Sequence, residues 1–367
     1  MNVQELPLVL FTVIGQMCVG AFVTLGVIQL VLSLRHNTKA VDRLTEPVVY
    51  AIGPALIVGL IVSIFHMNDV THTFYVFLHW QSSWLSREII FGVAFAIFGF
   101  LFAIMQWFRL GATRLRQVIA GITAILGLCL VWSMSQIYYS VVTIPAWHTA
   151  FVPFQFFCTM IILGALAVAC ALMITTLVRE RNRRGMVTDG GPEATAPDEG
   201  PAGAGGTGKT GGSGGGGVAV AVKTPVTTRA RLDAQIRGRV KDINAPTTEA
   251  EWAETTRIAK WIALVTAVVG VLVLISYPLH TAELSAGNAM AVNSAQAFSG
   301  PLFILRLTLL ALAAIVLALF IYRSAEQAVR ERPAMLASLI TTAFVLAFAG
   351  EILGRFFHYA SMFRIGI

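Results

Sequence analysis

The stretch FVPFQFFCTMIILGALAVACALMITTLV, Phe151 to Val178, contains no Asp, Glu, Lys, Arg or His. A helix needs about 20 such residues, at 1.5 Å each, to cross the ~30 Å hydrocarbon core of a bilayer. The stretch ends at Arg179, and Arg181, Arg183 and Arg184 follow at once. A basic cluster at one end of an apolar span is the pattern that fixes a membrane helix by its cytoplasmic end. Working outward, seven more spans of this kind appear: Leu6 to Leu34, Pro47 to Phe65, Glu88 to Phe108, Leu115 to Tyr138, Ile258 to Pro278, Gly300 to Tyr322 and Pro333 to His358. The expected fold class is an all-α integral membrane protein, a bundle of about eight transmembrane helices, in the cytoplasmic membrane of the cell.

Composition agrees. Of 367 residues 56% are hydrophobic and 12% charged, and the mean hydropathy is +0.75. Soluble domains carry about twice that charged fraction, so the lipid bilayer must be part of this protein's solvent. The net charge of +7 does not indicate nucleic acid, because the basic residues fall in short clusters between spans. Cys18, Cys129, Cys158 and Cys170 all lie in apolar stretches at spacings unsuited to an iron–sulfur cluster or structural zinc. Met1 to Pro7 lacks a positive segment and carries Glu5, so the first span is expected to persist as a helix rather than be cleaved.

Three regions follow: 1–178 with helices one to five, 179–257 as a linker, and 258–367 with helices six to eight. The linker is Gly-rich from Gly190 to Gly217 and has a basic segment from Thr228 to Lys241 that suits an amphipathic surface helix. Lys and Arg concentrate in the odd-numbered loops: Arg35, Lys39 and Arg43; Arg109 and Arg114; the Arg179 cluster; Arg323, Arg330 and Arg332. The even loops and termini hold few, chiefly Arg87, Arg355 and Arg364. The positive-inside rule therefore predicts both termini on the non-cytoplasmic side.

An ionisable side chain inside a span costs at least about 2.5–3.5 kcal/mol on insertion scales, so each needs a reason. By the topology above, His66, Glu88, His280, Arg306, Glu351, Arg355 and His358 sit towards the outer ends, with Asp69, His72, His79, His148 and Glu283 in the outer loops. The cytoplasmic halves are nearly bare. This lopsidedness suits a pocket open to one side and disfavours a transporter, which needs polar groups at the midplane. Glu351 and Arg355, spaced i,i+4, can pair on one helix face, beside the G-x-x-x-G of Gly350 and Gly354. With Arg306 they form either a buried ion network pinning two helices or part of a site. His66 and Glu88 flank one outer loop. A His and a carboxylate at the mouth of an apolar cleft suit a quinol, whose oxidation releases two protons and two electrons. Trp80, Trp84, Trp132 and Trp147 read as an interfacial aromatic belt.

Four segments in order, FTVIGQMCVGAF (Phe11 to Phe22), LSREIIFG (Leu85 to Gly92), TIPAWHT with FFCTMIILG (Thr143 to Thr149, Phe156 to Gly164) and GEILGRFFHY (Gly350 to Tyr359), resemble the membrane-anchor subunit of dimethyl sulfoxide reductase. The resemblance implies a non-catalytic anchor that carries no haem, iron–sulfur cluster or molybdenum. It implies that menaquinol is bound near the outer face and that electrons pass to an iron–sulfur subunit and on to a molybdopterin catalytic subunit. The family's quinol-site His and Glu map onto His66 and Glu88, and Arg306, Glu351 and Arg355 join them as candidate quinol-binding residues. The long insertion, and Met67, Asn68 and Asp69 after His66, depart from the family pattern. Alternatives are a polysulfide-reductase-type anchor, a haem-bearing anchor using His66, His280 or His358, and a secondary transporter.

Overall fold

The computed structural model describes residues 6–34, 38–64, 79–188, 233–234, 236–238, 240, 245–324 and 333–363. It divides into two units, 1–177 with 247–367, and 178–246. The first unit holds the bundle. The second begins in the last turns of a long helix, and the expected basic surface helix falls largely outside the described residues.

Among the described residues the elements are α1 (Leu6–Ser33), α2 (Thr38–Ile64), α3 (Trp84–Phe108), α4 (Thr113–Tyr139), α5 (Phe151–Thr188), α6 (Glu249–Ser285), α7 (Ala289–Gln296), α8 (Pro301–Arg323) and α9 (Pro333–Ala360). Eight are long and apolar enough to cross a membrane, as the sequence predicts. The differences lie at the ends. α2 begins at Thr38 rather than Pro47, because Pro47 and Pro54 are both carried inside the helix. A proline loses only one backbone donor, which neighbouring groups in a membrane bundle can offset. α6 begins at Glu249 rather than Ile258. Thr248 and Glu251 form a reciprocal capping box there, and a polar first turn is stabilised by its cap without apolar periodicity. α7 is a short helix between the sixth and seventh spans that hydropathy does not signal. Gly300, at φ 95°, then turns the chain into α8 with Pro301 in its first turn.

The helices alternate in direction. α3 packs on α4, α1 on α2, α6 on α8 and α8 on α9, while α1 also touches α4 and α9. α1 and α5 are the most enclosed spans; the others keep a wide lipid-facing stripe of residues such as Ile97, Ile125, Val268 and Ile315. Because lipid is as apolar as leucine, contact area cannot drive these helices together, and close backbone approach must. It occurs at Gly20 and Gly164. A Cβ on Gly20 would overlap the Met160 carbonyl, and one on Gly164 would overlap the Gly20 and Ala21 backbone.

The end of the bundle opposite the start of α1 is not bare. Arg116 donates to Gln106 Oε1 (3.0 Å), and Gln106 donates to Glu46 Oε1 (3.2 Å), all three buried. Gln29 donates to Thr45 (3.0 Å), and Arg43 pairs with Glu251 (2.9 Å). These contacts brace α1 to α2, α2 to α3 and α6, and α3 to α4.

The α1–α5 contact generates a prediction. Gly164→Leu forces two backbones apart and is expected to destabilise the bundle by about 1–3 kcal/mol or more, as overpacking does. Gly26→Leu, at an open position, is expected to change little. Thermal unfolding in detergent compares the two.

Candidate functional site

α9 carries Glu351, Arg355 and His358 at i, i+4 and i+7, so they form one stripe along a helix face. All three are buried, 4%, 6% and 7% exposed. The stripe meets the first turns of α1, α5 and α8 and the last turns of α4 and α6. The side chains gathered there come from six helices.

The expected Glu351–Arg355 ion pair does not form. Arg355 turns instead to α1, where its Nη2 donates to Gln16 Oε1 (2.9 Å), and its guanidinium lies over the Phe156 ring of α5 (3.7 Å to the centroid). Glu351 Oε2 accepts from Thr159 of α5 (2.8 Å) and faces Arg306 of α8 at 3.9 Å. Arg306 Nε donates to the Gly350 carbonyl (3.2 Å), and its guanidinium covers the Tyr277 ring of α6 (4.2 Å). Gly354 makes this possible, because a Cβ there would occupy the space of the Arg306 guanidinium. Helices α8 and α9 are therefore joined by charge as well as by packing.

Above this layer, the Tyr138 and Tyr359 hydroxyls bond to each other at 2.8 Å. His358 meets Tyr138 edge-on (4.6 Å between centroids) and stacks on Trp147 (5.4 Å, 15°), whose indole N–H donates to the His358 carbonyl (2.8 Å). Trp147 is thus a buried part of this cluster rather than of an interfacial belt, unlike the exposed Trp80 and Trp132. His280 of α6 is buried between Phe151 and Phe298 (5.2 and 5.3 Å).

Among the described residues, the buried polar atoms of this cluster without a hydrogen-bond partner include Gln16 Nε2, Gln155 Nε2, Arg306 Nη1, Arg355 Nε, Glu351 Oε1 and His358 Nε2. Native structures leave only a few such groups per 100 residues. Here they combine donors and acceptors within two turns of α9, flanked by Tyr138, Trp147 and Phe156. Such a set is matched to a guest with oxygens that both donate and accept and with an aromatic body.

Of the sequence candidates, Arg306, Glu351 and Arg355 come together. Glu88, on α3, is buried too, and its charge is close enough to act on Tyr138 and Tyr359. Among the described residues no hydrogen bond or ion pair to its carboxylate is found. His66, with Asp69 and His72, lies outside the described residues. Sequence reasoning left out Gln16, Thr159, Tyr138 and Tyr359, and it noted His358 as a helix-end residue and as a ligand only in the haem alternative. The i, i+4, i+7 continuation from Glu351 to His358 was available as a signal; single Gln, Thr and Tyr residues within apolar spans gave none. Among the described residues no group of three His, Cys, Asp or Glu is placed to hold a metal ion.

These features define a multi-pass membrane protein with a polar cluster buried at one end of its bundle. The protein belongs to the family of DMSO reductase anchor subunits, whose profile matches residues 1–186. It is 33% identical over 180 residues to the C polypeptide of anaerobic dimethyl sulfoxide reductase from Haemophilus influenzae (49% of this protein, 62% of that one). It is 30% identical over 163 residues to the corresponding C polypeptide of Escherichia coli (44% and 56%). It is 27% identical over 169 residues to the anaerobic dimethyl sulfoxide reductase polypeptide YnfH of the same organism (46% and 58%). The matches thus cover less than two thirds of these relatives' lengths. The matched residues take in α1 to α4 and nearly all of α5, with Gln16, Glu88, Tyr138 and Thr159; Arg306, Glu351, Arg355 and His358 lie beyond them.

The Arg306–Glu351 contact gives a stability prediction. Glu351→Leu leaves the Arg306 guanidinium buried without its anion and is expected to cost about 3–5 kcal/mol. The Arg306→Met, Glu351→Leu double variant is expected to recover most of that loss. Equilibrium unfolding of the purified protein measures both.

Proposed function

We propose that this protein anchors a dimethyl sulfoxide reductase-type complex in the cytoplasmic membrane and oxidises menaquinol in the polar cluster at the end of α9. The observation that carries the reading is the set of unpartnered buried donors and acceptors around Glu351, Arg355 and His358. Family membership supports it, as do the names of the relatives. Charged groups in hydrocarbon cost about 2.5–3.5 kcal/mol each, whereas an interhelical hydrogen bond contributes about 0.6–2 kcal/mol. Stability alone therefore gives no reason to keep these charges, and a ligand does.

In this reading a quinol hydroxyl donates to Glu351 or His358 and accepts from Arg355 or Gln16. Oxidation yields the quinone, two protons and two electrons. His66 and Glu88 receive the protons, with Glu88 set against the hydrogen-bonded Tyr138–Tyr359 pair. The electrons pass to an iron–sulfur subunit and then to a molybdopterin catalytic subunit, both docked on the non-cytoplasmic face, where both termini of the anchor emerge. Because the polar groups do not extend through the bundle, the protons leave on the side where the quinol is oxidised.

Glu88→Gln and His66→Ala are expected to lower quinol-dependent turnover on the order of 100-fold or more, the scale of a lost proton acceptor. Co-purification of the partner subunits, and their turnover with an artificial reductant, should stay unchanged. Quinol oxidation at the wild-type rate in both variants would remove Glu88 and His66 from the mechanism. In proteoliposomes, turnover is expected to move no net charge across the membrane; a measured membrane potential would refute release on one side. A haem-bearing anchor, the second reading, draws on the two buried imidazoles of His280 and His358; a Soret band in the purified protein would favour it.

A further inference from the structure

Gln16 of α1 is fully buried, at 0% exposure, and its partner settles which way its amide faces. A guanidinium has N–H groups and no acceptor, so the amide oxygen must be the branch that meets Arg355. It does so at 2.9 Å, accepting from Nη2. The amide nitrogen is the branch left over, and among the described residues it has no partner. Nε of the same Arg355 guanidinium is left over too. Two N–H donors from α1 and α9 are thus joined through one hydrogen bond. Buried this far they cannot turn to water, and each carries a desolvation cost until an oxygen accepts from it.

The unpartnered atoms of the cluster are unevenly divided. Gln16 Nε2, Gln155 Nε2, Arg306 Nη1 and Arg355 Nε can only donate. Glu351 Oε1 accepts as a carboxylate, and His358 Nε2 does either, according to its tautomer. A quinol carries two hydroxyls, and each has a proton that needs an acceptor. A quinone carries two carbonyl oxygens, which need donors only. The free atoms therefore suit the oxidised form better than the reduced one. The Gln16–Arg355 pair is the most one-sided part, because its one strong acceptor, Gln16 Oε1, is already taken.

We propose that Gln16 determines the site's preference for oxidation state: its amide N–H, oriented by Arg355, donates to a quinone carbonyl, so that the quinone is held more tightly than the quinol. The proposal rests on the quinol reading above. Gln16 neither gains nor loses a proton in the reaction; the two protons of the quinol go to the acceptors already described. The preference has a redox consequence. Each tenfold by which a site favours the oxidised form lowers the potential of the bound two-electron couple by about 30 mV. A bound quinol then gives up its electrons more readily than one in the bilayer.

The test uses the full-length protein in lipid nanodiscs under anaerobic conditions, with binding read from quenching of tryptophan fluorescence. The probes are menadione and its reduced form, menadiol. Wild type is expected to bind menadione about tenfold more tightly than menadiol. Gln16→Glu keeps an oxygen for Arg355, and with it the contact between α1 and α9, but replaces the free donor by a second acceptor. It is expected to weaken menadione by about tenfold or more and to leave menadiol within about threefold, so that the preference disappears or inverts. Gln16→Met, similar in length and uncharged, is expected to erase the preference as well. The ratio of the two affinities is the readout, because a merely structural defect weakens both forms alike. Equal affinities in wild type, or a ratio unchanged in both variants, overturn the role of Gln16 while leaving the head-group site standing. Failure of wild type to bind either probe overturns the quinol reading, and this inference with it.

Discussion

Charge buried in hydrocarbon is the constraint around which one end of this bundle is organised. A guanidinium or carboxylate inside a membrane must find partners, and no single helix supplies them. Arg355 finds Gln16 and the face of Phe156; Arg306 finds the Gly350 carbonyl, the Tyr277 ring and Glu351; Glu351 finds Thr159. These contacts tie α9 to α1, α5 and α8, and α8 to α6. Gly354 lacks a side chain so that Arg306 can lie where one would be. The partnering is incomplete, since each of Gln16, Arg355, Glu351 and His358 keeps a free polar atom.

Much of this was legible in the sequence, and the rest was not for identifiable reasons. Span length and the absence of charge mark all eight crossing helices, because the thickness of hydrocarbon is a strict requirement. Helix ends were less legible: the first turns of α6 are fixed by the Thr248–Glu251 capping box, a local polar device that hydropathy does not weigh. Arg306, Glu351 and Arg355 stood out because charge in a span is rare. Their pairing was misread because i,i+4 spacing shows only who can meet on one helix. Arg355 chose Gln16, 339 positions away in sequence, and a lone glutamine in an apolar helix carries no mark of its future partner. Trp147 was misread for the same reason: a tryptophan near a helix end looks interfacial until a histidine carbonyl is found to accept its N–H.

The two ends of the bundle treat polarity differently. At one, the Arg116–Gln106–Glu46 relay and the Arg43–Glu251 pair connect neighbouring helices. At the other, polar groups converge from six helices, and they leave both donors and acceptors free. The family match stops inside α5, so the part of the cluster carried by α1, α3, α4 and α5 falls within it and the part carried by α6, α8 and α9 does not.

The contact at Gly20 and Gly164 has a mechanical consequence. Two helices already in backbone contact have no room left to close, so α1 and α5 act as a stiff keel for the bundle. Motion within the bundle then falls to the outer helices, which can swing against that keel.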